Sequence, residues 1–252
     1  MRIILTGASG RMGKQMLALF QSTKDVEIFA VDKAYEYDPK NDTPSCVSAK
    51  YARIADVKEC ADAIVDFSLH TAVPEVVDFA VRNCTPLVVA TTGHTEQERA
   101  CVARASESIP VFAASNMSIA IAYLKDFSAK LAAVFESADI EILEAHHSKK
   151  LDSPSGTALS IAKRIVKQRG FGKIVIGRGN AREKGEINVH SLRLGESLGE
   201  HEVIIDTGSE RIILRHEAFS RGVYAEGALK AARFILSQPN GLYGIEDLLN
   251  FH

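Results

Sequence analysis

No tryptophan, no C-x-x-C pair and no long apolar run occur in this 252-residue chain. Each absence removes a class of protein. The apolar stretches fall well short of the ~20 residues that a membrane-spanning helix needs. Cys46, Cys60, Cys84 and Cys101 are widely spaced. Neither a disulfide scaffold nor a thiolate metal site is therefore expected, and reduced thiols in the cytoplasm are the plain reading. Lysine and arginine number 30 against 32 acidic residues, a net charge of −2. With no basic tail or long run of one sign, neither nucleic acid nor a membrane is an expected partner. An apolar strand begins at residue 2, which predicts no cleavable leader. Hydrophobic content of 46% and charged content of 25% predict a globular chain of one large or two modest domains with a substantial core.

Residues 2–6 read as a short buried strand, followed by Gly7-Ala8-Ser9-Gly10-Arg11-Met12-Gly13 and an amphipathic helix carried by Met12, Met16, Leu17, Leu19 and Phe20. Glycine suits such a turn because it takes positive φ freely and lets a pyrophosphate approach the backbone. A second strand, 27–31, ends at Asp32, 19 residues past Gly13, about where an acid meets the ribose hydroxyls of a dinucleotide. Further strands are expected at 63–67, 87–90 and 111–114, with helices at 72–83 and 95–108 between them, Thr95 capping the latter. Apolar strands alternating with helices predict a parallel sheet covered on both faces, whose ligands bind at the carboxyl ends of the strands. The loops 67–68, 91–94 and 115–118 lie there.

The pattern then changes. A long apolar helix (119–135) precedes a strand (140–144), an amphipathic helix (157–169), a glycine-containing loop (170–186) and strands at 187–194, 202–206 and 211–216 joined by short turns. The fold class expected is thus α/β, a Rossmann-like parallel sheet plus an α+β domain with a mainly antiparallel sheet. The boundaries expected are 1–118 for the dinucleotide-binding domain and 119–221 for the substrate-binding and oligomerisation domain. A helix at 223–236 and an amphipathic tail at 242–250 return the chain, over 222–252, to the first domain. Ile204, Ile205, Ile212, Ile213 and Leu214 read as an exposed apolar surface of the second.

Between the strand 140–144 and the helix lies Glu144-Ala145-His146-His147-Ser148-Lys149-Lys150-Leu151-Asp152-Ser153-Pro154-Ser155-Gly156-Thr157-Ala158. Two histidines and two lysines within five residues resist burial, since unpaired charge is costly in a core. Set before a helix N-terminus, whose backbone N–H groups favour anions, they point to a small anionic substrate and a proton donor.

The glycine turn, Val65-Asp66-Phe67-Ser68, Ala90-Thr91-Thr92-Gly93 and the double-histidine segment occur in one order and spacing. Together they resemble the 4-hydroxy-tetrahydrodipicolinate reductases (dihydrodipicolinate reductases), over essentially the whole chain. The resemblance implies hydride transfer from NADH or NADPH to a cyclic dicarboxylate imine in the diaminopimelate and lysine pathway, and a homotetramer. It assigns His146 as the proton donor and Lys150 as a second donor or carboxylate partner. His147 would contact substrate, and the backbone of Gly156 and Thr157 would hold a carboxylate. For the cofactor it points to Gly7, Ala8, Ser9, Gly10, Arg11, Met12, Asp32 and Lys33, and to Ala90, Thr91, Thr92, Ser115, Asn116 and Met117. Ala90, Met117 and Ser148-Lys149 depart from the residues common in that family.

Two other readings fit parts of the pattern. A homoserine or sugar dehydrogenase would share the two-domain plan, but the Glu-Lys-Pro segment usual in sugar-type relatives is missing. A redox sensor that holds NAD(P) without chemistry would have no use for a His-His-x-x-Lys cluster.

Overall fold

A computed structural model describes residues 1–37, 44–178 and 181–250. The chain divides into two compact units, Met1–Ile119 with Arg221–His252, and Ala120–Ser220.

In the first unit β1 (Arg2–Thr6), α1 (Arg11–Ser22), β2 (Glu27–Val31), β3 (Val47–Tyr51), β4 (Ala63–Asp66), α2 (Val73–Arg82), β5 (Leu87–Val89), α3 (Glu96–Ala105) and β6 (Pro110–Ala113) follow one another. The chain returns as α6 (Gly222–Ile235) and β12 (Gly241–Tyr243). The seven strands pair in parallel, in the order β12-β6-β5-β4-β1-β2-β3. Strand pleating sends successive side chains to opposite faces. Ile4, Ile64, Leu87 and Val111 pack with Val73, Val77 and Val102 of α2 and α3, while Phe112 on the other face meets Phe234 of α6 edge-on at 6.2 Å. With both faces covered, the inner strands β1, β4 and β5 have no solvated side and read as continuous apolar runs.

The start of α3 follows its sequence closely. Thr95 Oγ1 accepts from the Glu98 N–H at 3.2 Å, and the Glu98 carboxylate accepts from the Thr95 N–H at 2.7 Å, a reciprocal cap that satisfies two otherwise unpaired donors. Two features differ from expectation. β3 is an edge strand of mostly half-buried residues, too mixed in character to stand out as apolar. The tail expected at 242–250 opens instead as β12, paired with β6, before a short 3₁₀ helix at Ile245–Asn250.

The second unit contains α4 (Ile119–Val134), β7 (Asp139–His146), α5 (Gly156–Arg169), β8 (Lys173–Ile176), β9 (Glu186–Arg193), β10 (Glu200–Asp206) and β11 (Arg211–Glu217). Its sheet runs β11-β10-β7-β9-β8. The sheet is mixed rather than mainly antiparallel. β10 is antiparallel to β11 and β7, but β9 is parallel to β7 and β8. β9 and β10 flank β7 on opposite sides, so their short link is a crossover and not a hairpin. β8 lies inside the expected loop 170–186, of which 179–180 fall outside the described residues.

One face of this sheet packs under α4 and α5, where Ile140, Ile142, Val189, Val203 and Ile205 are fully buried against Leu124, Ala129, Ile161 and Ile165. The surface expected from 204–205 and 212–214 is accordingly split by strand alternation. Ile205 is buried, and Ile212 and Leu214 pack on the core. Ile204 and Ile213, paired across β10 and β11, lie on the opposite face.

Candidate active site

In the first unit the residues expected at a cofactor gather at the carboxyl ends of β1, β2, β5 and β6. Gly7 has φ +72°, and a Cβ there would lie 2.4 Å from the Phe67 carbonyl oxygen; a Cβ on Gly13 would lie 2.2 Å from the Gly7 oxygen. Both glycines therefore serve the tight packing of turn, helix and neighbouring strand end. Gly10 is exposed, and a Cβ there would meet a single atom within 4 Å, the Gly7 oxygen at 3.1 Å. Gly10 also caps α1 without any side-chain hydrogen bond. The first N–H groups of a helix have no acceptor within it, and such donors together favour an anion.

Asp32 follows β2, with Oδ2 accepting from the Ser9 N–H at 2.9 Å and Oδ1 from the Ala34 N–H at 3.0 Å. A carboxylate has about four acceptor positions, leaving capacity for hydroxyls. Lys33 and Arg11 are exposed, Met12 half-buried and Ala8 buried. A cleft of about 390 Å³ is lined by Thr91, Thr92, Gly93, His94, Arg99 and Ser115. Asn116 accepts from the Ser118 N–H at 2.9 Å. Met117 is buried, and α6 crosses so closely that a Cβ on Gly227 would stand 1.7 Å from its carbonyl oxygen.

Beneath these loops the fully buried carboxylate of Asp66 accepts from Thr6 Oγ1 at 2.5 Å, Ser68 Oγ at 2.5 Å and Thr91 Oγ1 at 2.7 Å. These hydrogen bonds tie together the ends of three neighbouring strands. A buried polar group persists only when its partners are present, so Asp66 fixes the shape of this rim.

In the second unit His146 ends β7, and His147 and Lys150 sit in the turn beyond it, the Lys150 N–H donating to the His147 carbonyl at 3.1 Å. Gly156 and Thr157 open α5 behind its N-cap, Ser155, whose Oγ accepts from the Ala158 N–H. The Ser155 N–H in turn donates to Glu144 Oε1 at 3.1 Å, which anchors the helix start to the strand end. The expected substrate residues are thus brought into one neighbourhood of this unit. Lys150 Nζ pairs with Asp152 at 2.7 Å and holds that carboxyl below its ordinary range.

The buried face of the sheet ends here in a polar row, since Ser191, Glu144, His201 and His216 are paired in register across β9, β7, β10 and β11. Glu144 is 1% exposed. Burial opposes its ionisation, but hydrogen bonds from His146 and Arg193 outweigh that cost and hold the carboxyl far below the usual carboxylate range. His201, 3% exposed, stands edge-on to His146 with centroids 5.3 Å apart, its Nε2 3.2 Å from Ser155 Oγ.

Comparison with known proteins decides what this arrangement belongs to. A family profile described as "Dihydrodipicolinate reductase, N-terminus" matches residues 1–117, and one described as "Dihydrodipicolinate reductase, C-terminus" matches residues 120–249. The chain belongs to the dihydrodipicolinate reductase family. The 4-hydroxy-tetrahydrodipicolinate reductase of Caldanaerobacter subterraneus subsp. tengcongensis is 40% identical over 98% of both chains, and that of Clostridium novyi 38% identical over 98% of both. A solved dihydrodipicolinate reductase from Paenisporosarcina sp. TG-14, described as dipicolinate-bound, matches with a TM-score of 0.78 at 23% identity, covering 98% of each chain. At that identity the likeness establishes the fold.

As an oxidoreductase of this family, the chain carries further polar residues that its sequence announces only indirectly. Glu144 stands in phase with Ile140 and Ile142, and His201 with Val203 and Ile205, so period-2 alternation marks both as buried. Arg193, which reaches Glu144 from β9, has no local signal.

Proposed function

We propose that this protein reduces 4-hydroxy-tetrahydrodipicolinate to tetrahydrodipicolinate, with loss of water, using NADH or NADPH in diaminopimelate and lysine biosynthesis. The observation that carries the reading is the gathering of His146, His147, Lys150 and the first turn of α5 at the end of one strand. The residues of the first unit fit a dinucleotide, with Gly10, Arg11, Met12 and the α1 N-terminus for the pyrophosphate and Asp32 for the ribose. Ala90–Thr92 and Ser115–Met117 border the nicotinamide end. When bound, that cofactor supplies the hydride. The substrate is a small dicarboxylate, the chemical class of the dipicolinate held by the structural relative. Lys150 and the Gly156-Thr157 backbone bind its carboxylates, His147 contacts it, and His146 delivers the proton that completes the reduction. Negative charge that develops during hydride addition is stabilised by these cationic groups. The test is loss of NADH absorbance with freshly formed substrate, inhibited competitively by pyridine-2,6-dicarboxylate. Inhibition no stronger than that by benzoate overturns the anion site.

Cofactor choice follows from Asp32 and Lys33. Asp32 favours the free 2′-hydroxyl of NADH and repels a 2′-phosphate, while the adjacent exposed ammonium of Lys33 offsets that repulsion as a point charge. The expected behaviour is use of both cofactors with a modest NADH preference. Lys33→Ala weakens NADPH far more than NADH; equal loss of both in titrations shows that Lys33 does not read the phosphate.

The open face of the second sheet, with Ile204, Ile213 and half-exposed Leu192, supports assembly as a homotetramer, checked by light scattering at micromolar concentration, where a monomer refutes it. The four cysteines are unpaired, and no described helix is long and apolar enough to cross a membrane. Free thiols fit a reducing compartment, and the cytoplasm is the proposed location.

A further inference from the structure

We infer that Glu144, locked by Arg193, is a positioning residue for His146, fixing its Nδ1 edge so that Nε2 is the nitrogen that releases the proton, with Gly199 keeping the Nε2 edge clear. The inference rests on His146 being the proton donor of the reaction. Both oxygens of Glu144 are committed. Oε1 accepts from Arg193 Nη2 at 2.9 Å and the Ser155 N–H at 3.1 Å; Oε2 accepts from Arg193 Nη1 at 3.0 Å and meets His146 Nδ1 at 2.5 Å. Arg193 is itself fixed, its Nη2 donating to the Asp152 carbonyl at 2.6 Å and its Nη1 to the Leu192 carbonyl at 2.7 Å. A paired arginine keeps the carboxylate ionised, and an ionised carboxylate only accepts hydrogen bonds. The hydrogen between Glu144 and the ring therefore belongs to Nδ1. Protonation and deprotonation of the imidazole then take place at Nε2.

The other edge of the ring is shaped as deliberately. Gly199, just before β10, has φ +152°, and a Cβ there would stand 3.1 Å from His146 Nε2. A side chain would crowd the nitrogen that must reach substrate. The ring of His201 from β10 closes one side at 5.3 Å between centroids. Among the described residues Glu144 from β7, Arg193 from β9 and His201 from β10 are set around His146, with Lys150 of the turn beyond β7 and His216 of β11 near enough to act on His201, and the Glu144 carboxylate at Nδ1 supplies a counter-charge to the imidazolium.

The test is a pH profile of kcat and kcat/KM for the wild type, Glu144→Gln, Glu144→Asp and Gly199→Ala, with KM for substrate and Kd for NADH measured alongside. Glutamine keeps the size of the side chain and an oxygen for Nδ1–H but removes the charge. Glu144→Gln is expected to lower kcat about 10- to 100-fold at mildly alkaline pH and to move the alkaline limb toward lower pH by about one unit, because an imidazolium without its anion loses its proton sooner. KM and Kd stay within about threefold, and Glu144→Asp, which keeps the charge, restores the position of the limb. A limb that does not move, or a rise in KM at unchanged kcat, overturns the inference. Should Glu144→Gln fail to fold, Gly199→Ala decides: an expected fall in kcat of about tenfold or more at unchanged KM supports the role, and wild-type kcat overturns it. Full turnover by His146→Gln would instead refute the proton-donor reading itself. An inactive His146→Gln beside an unshifted Glu144→Gln profile removes the positioning role alone.

Discussion

Replacement of His146 by glutamine is expected to lower kcat by roughly 10²–10⁴-fold, the usual scale for loss of a general acid. In free-energy terms this is about 3–5 kcal/mol of transition-state stabilisation. The expectation comes from the way the ring is held. Nδ1 is committed to Glu144 at 2.5 Å, and a glutamine at this position offers no group that titrates near neutrality. The carboxylate-binding groups, Lys150 and the start of α5, are untouched by the change, and so are the nucleotide turn and Asp32. Kd for NADH and KM for substrate should therefore stay near wild type while kcat falls. Steady-state rates and fluorescence titration of NADH check both halves of the statement, and an unchanged kcat refutes the assignment.

The second large effect concerns stability and comes from His201. Burial, reinforced by the neighbouring His146, pushes His201 down to about 3, against about 6.5 in an unfolded chain. Between those values the unfolded state takes up a proton that the folded state refuses, so stability is fully present above about pH 6.5 and is lost as pH falls toward 3. The steepest loss is about 1.4 kcal/mol per pH unit, or about 2 kcal/mol between pH 7.5 and pH 5. His216, also lowered by burial, acts in the same direction. The depressed carboxyl of Glu144 acts only at lower pH: its contribution is present above the unfolded carboxylate range of about 4.3 and is lost as pH falls below it. Measurements from pH 7.5 to 5 therefore isolate the histidines. His201→Gln should flatten the dependence of denaturant midpoint on pH over that window, and a slope equal to that of the wild type contradicts the assignment.

Period-2 alternation and glycine spacing made much of this molecule legible, and the exceptions share a cause. The first strand, its glycine turn and α1 could be read because each signal is local. β3 is hard to read because it is a half-buried edge strand of mixed composition, and β8 because its apolar run, Ile174-Val175-Ile176, is only three residues long and lies within a glycine-containing segment. The double-histidine segment was conspicuous because charge so concentrated is hard to bury. Its support was less visible: Arg193 lies 49 residues from Glu144, and nothing at 193 foretells that contact.

By itself, then, the sequence determined the βα alternation of the first unit, the tight turn at Gly7–Gly13 and the chemical types gathered at 144–157, since each depends on residues a few positions apart. Tertiary structure decided that β9 lies parallel to β7 while β10 takes its other side. It also decided that Ile205 faces the core and Ile204 does not, and that three separate chain segments, β7, the start of α5 and β9, converge on the buried carboxylate of Glu144. These outcomes depend on which strands become neighbours, and pairing is set by burial summed over the whole sheet rather than by the composition of any one strand.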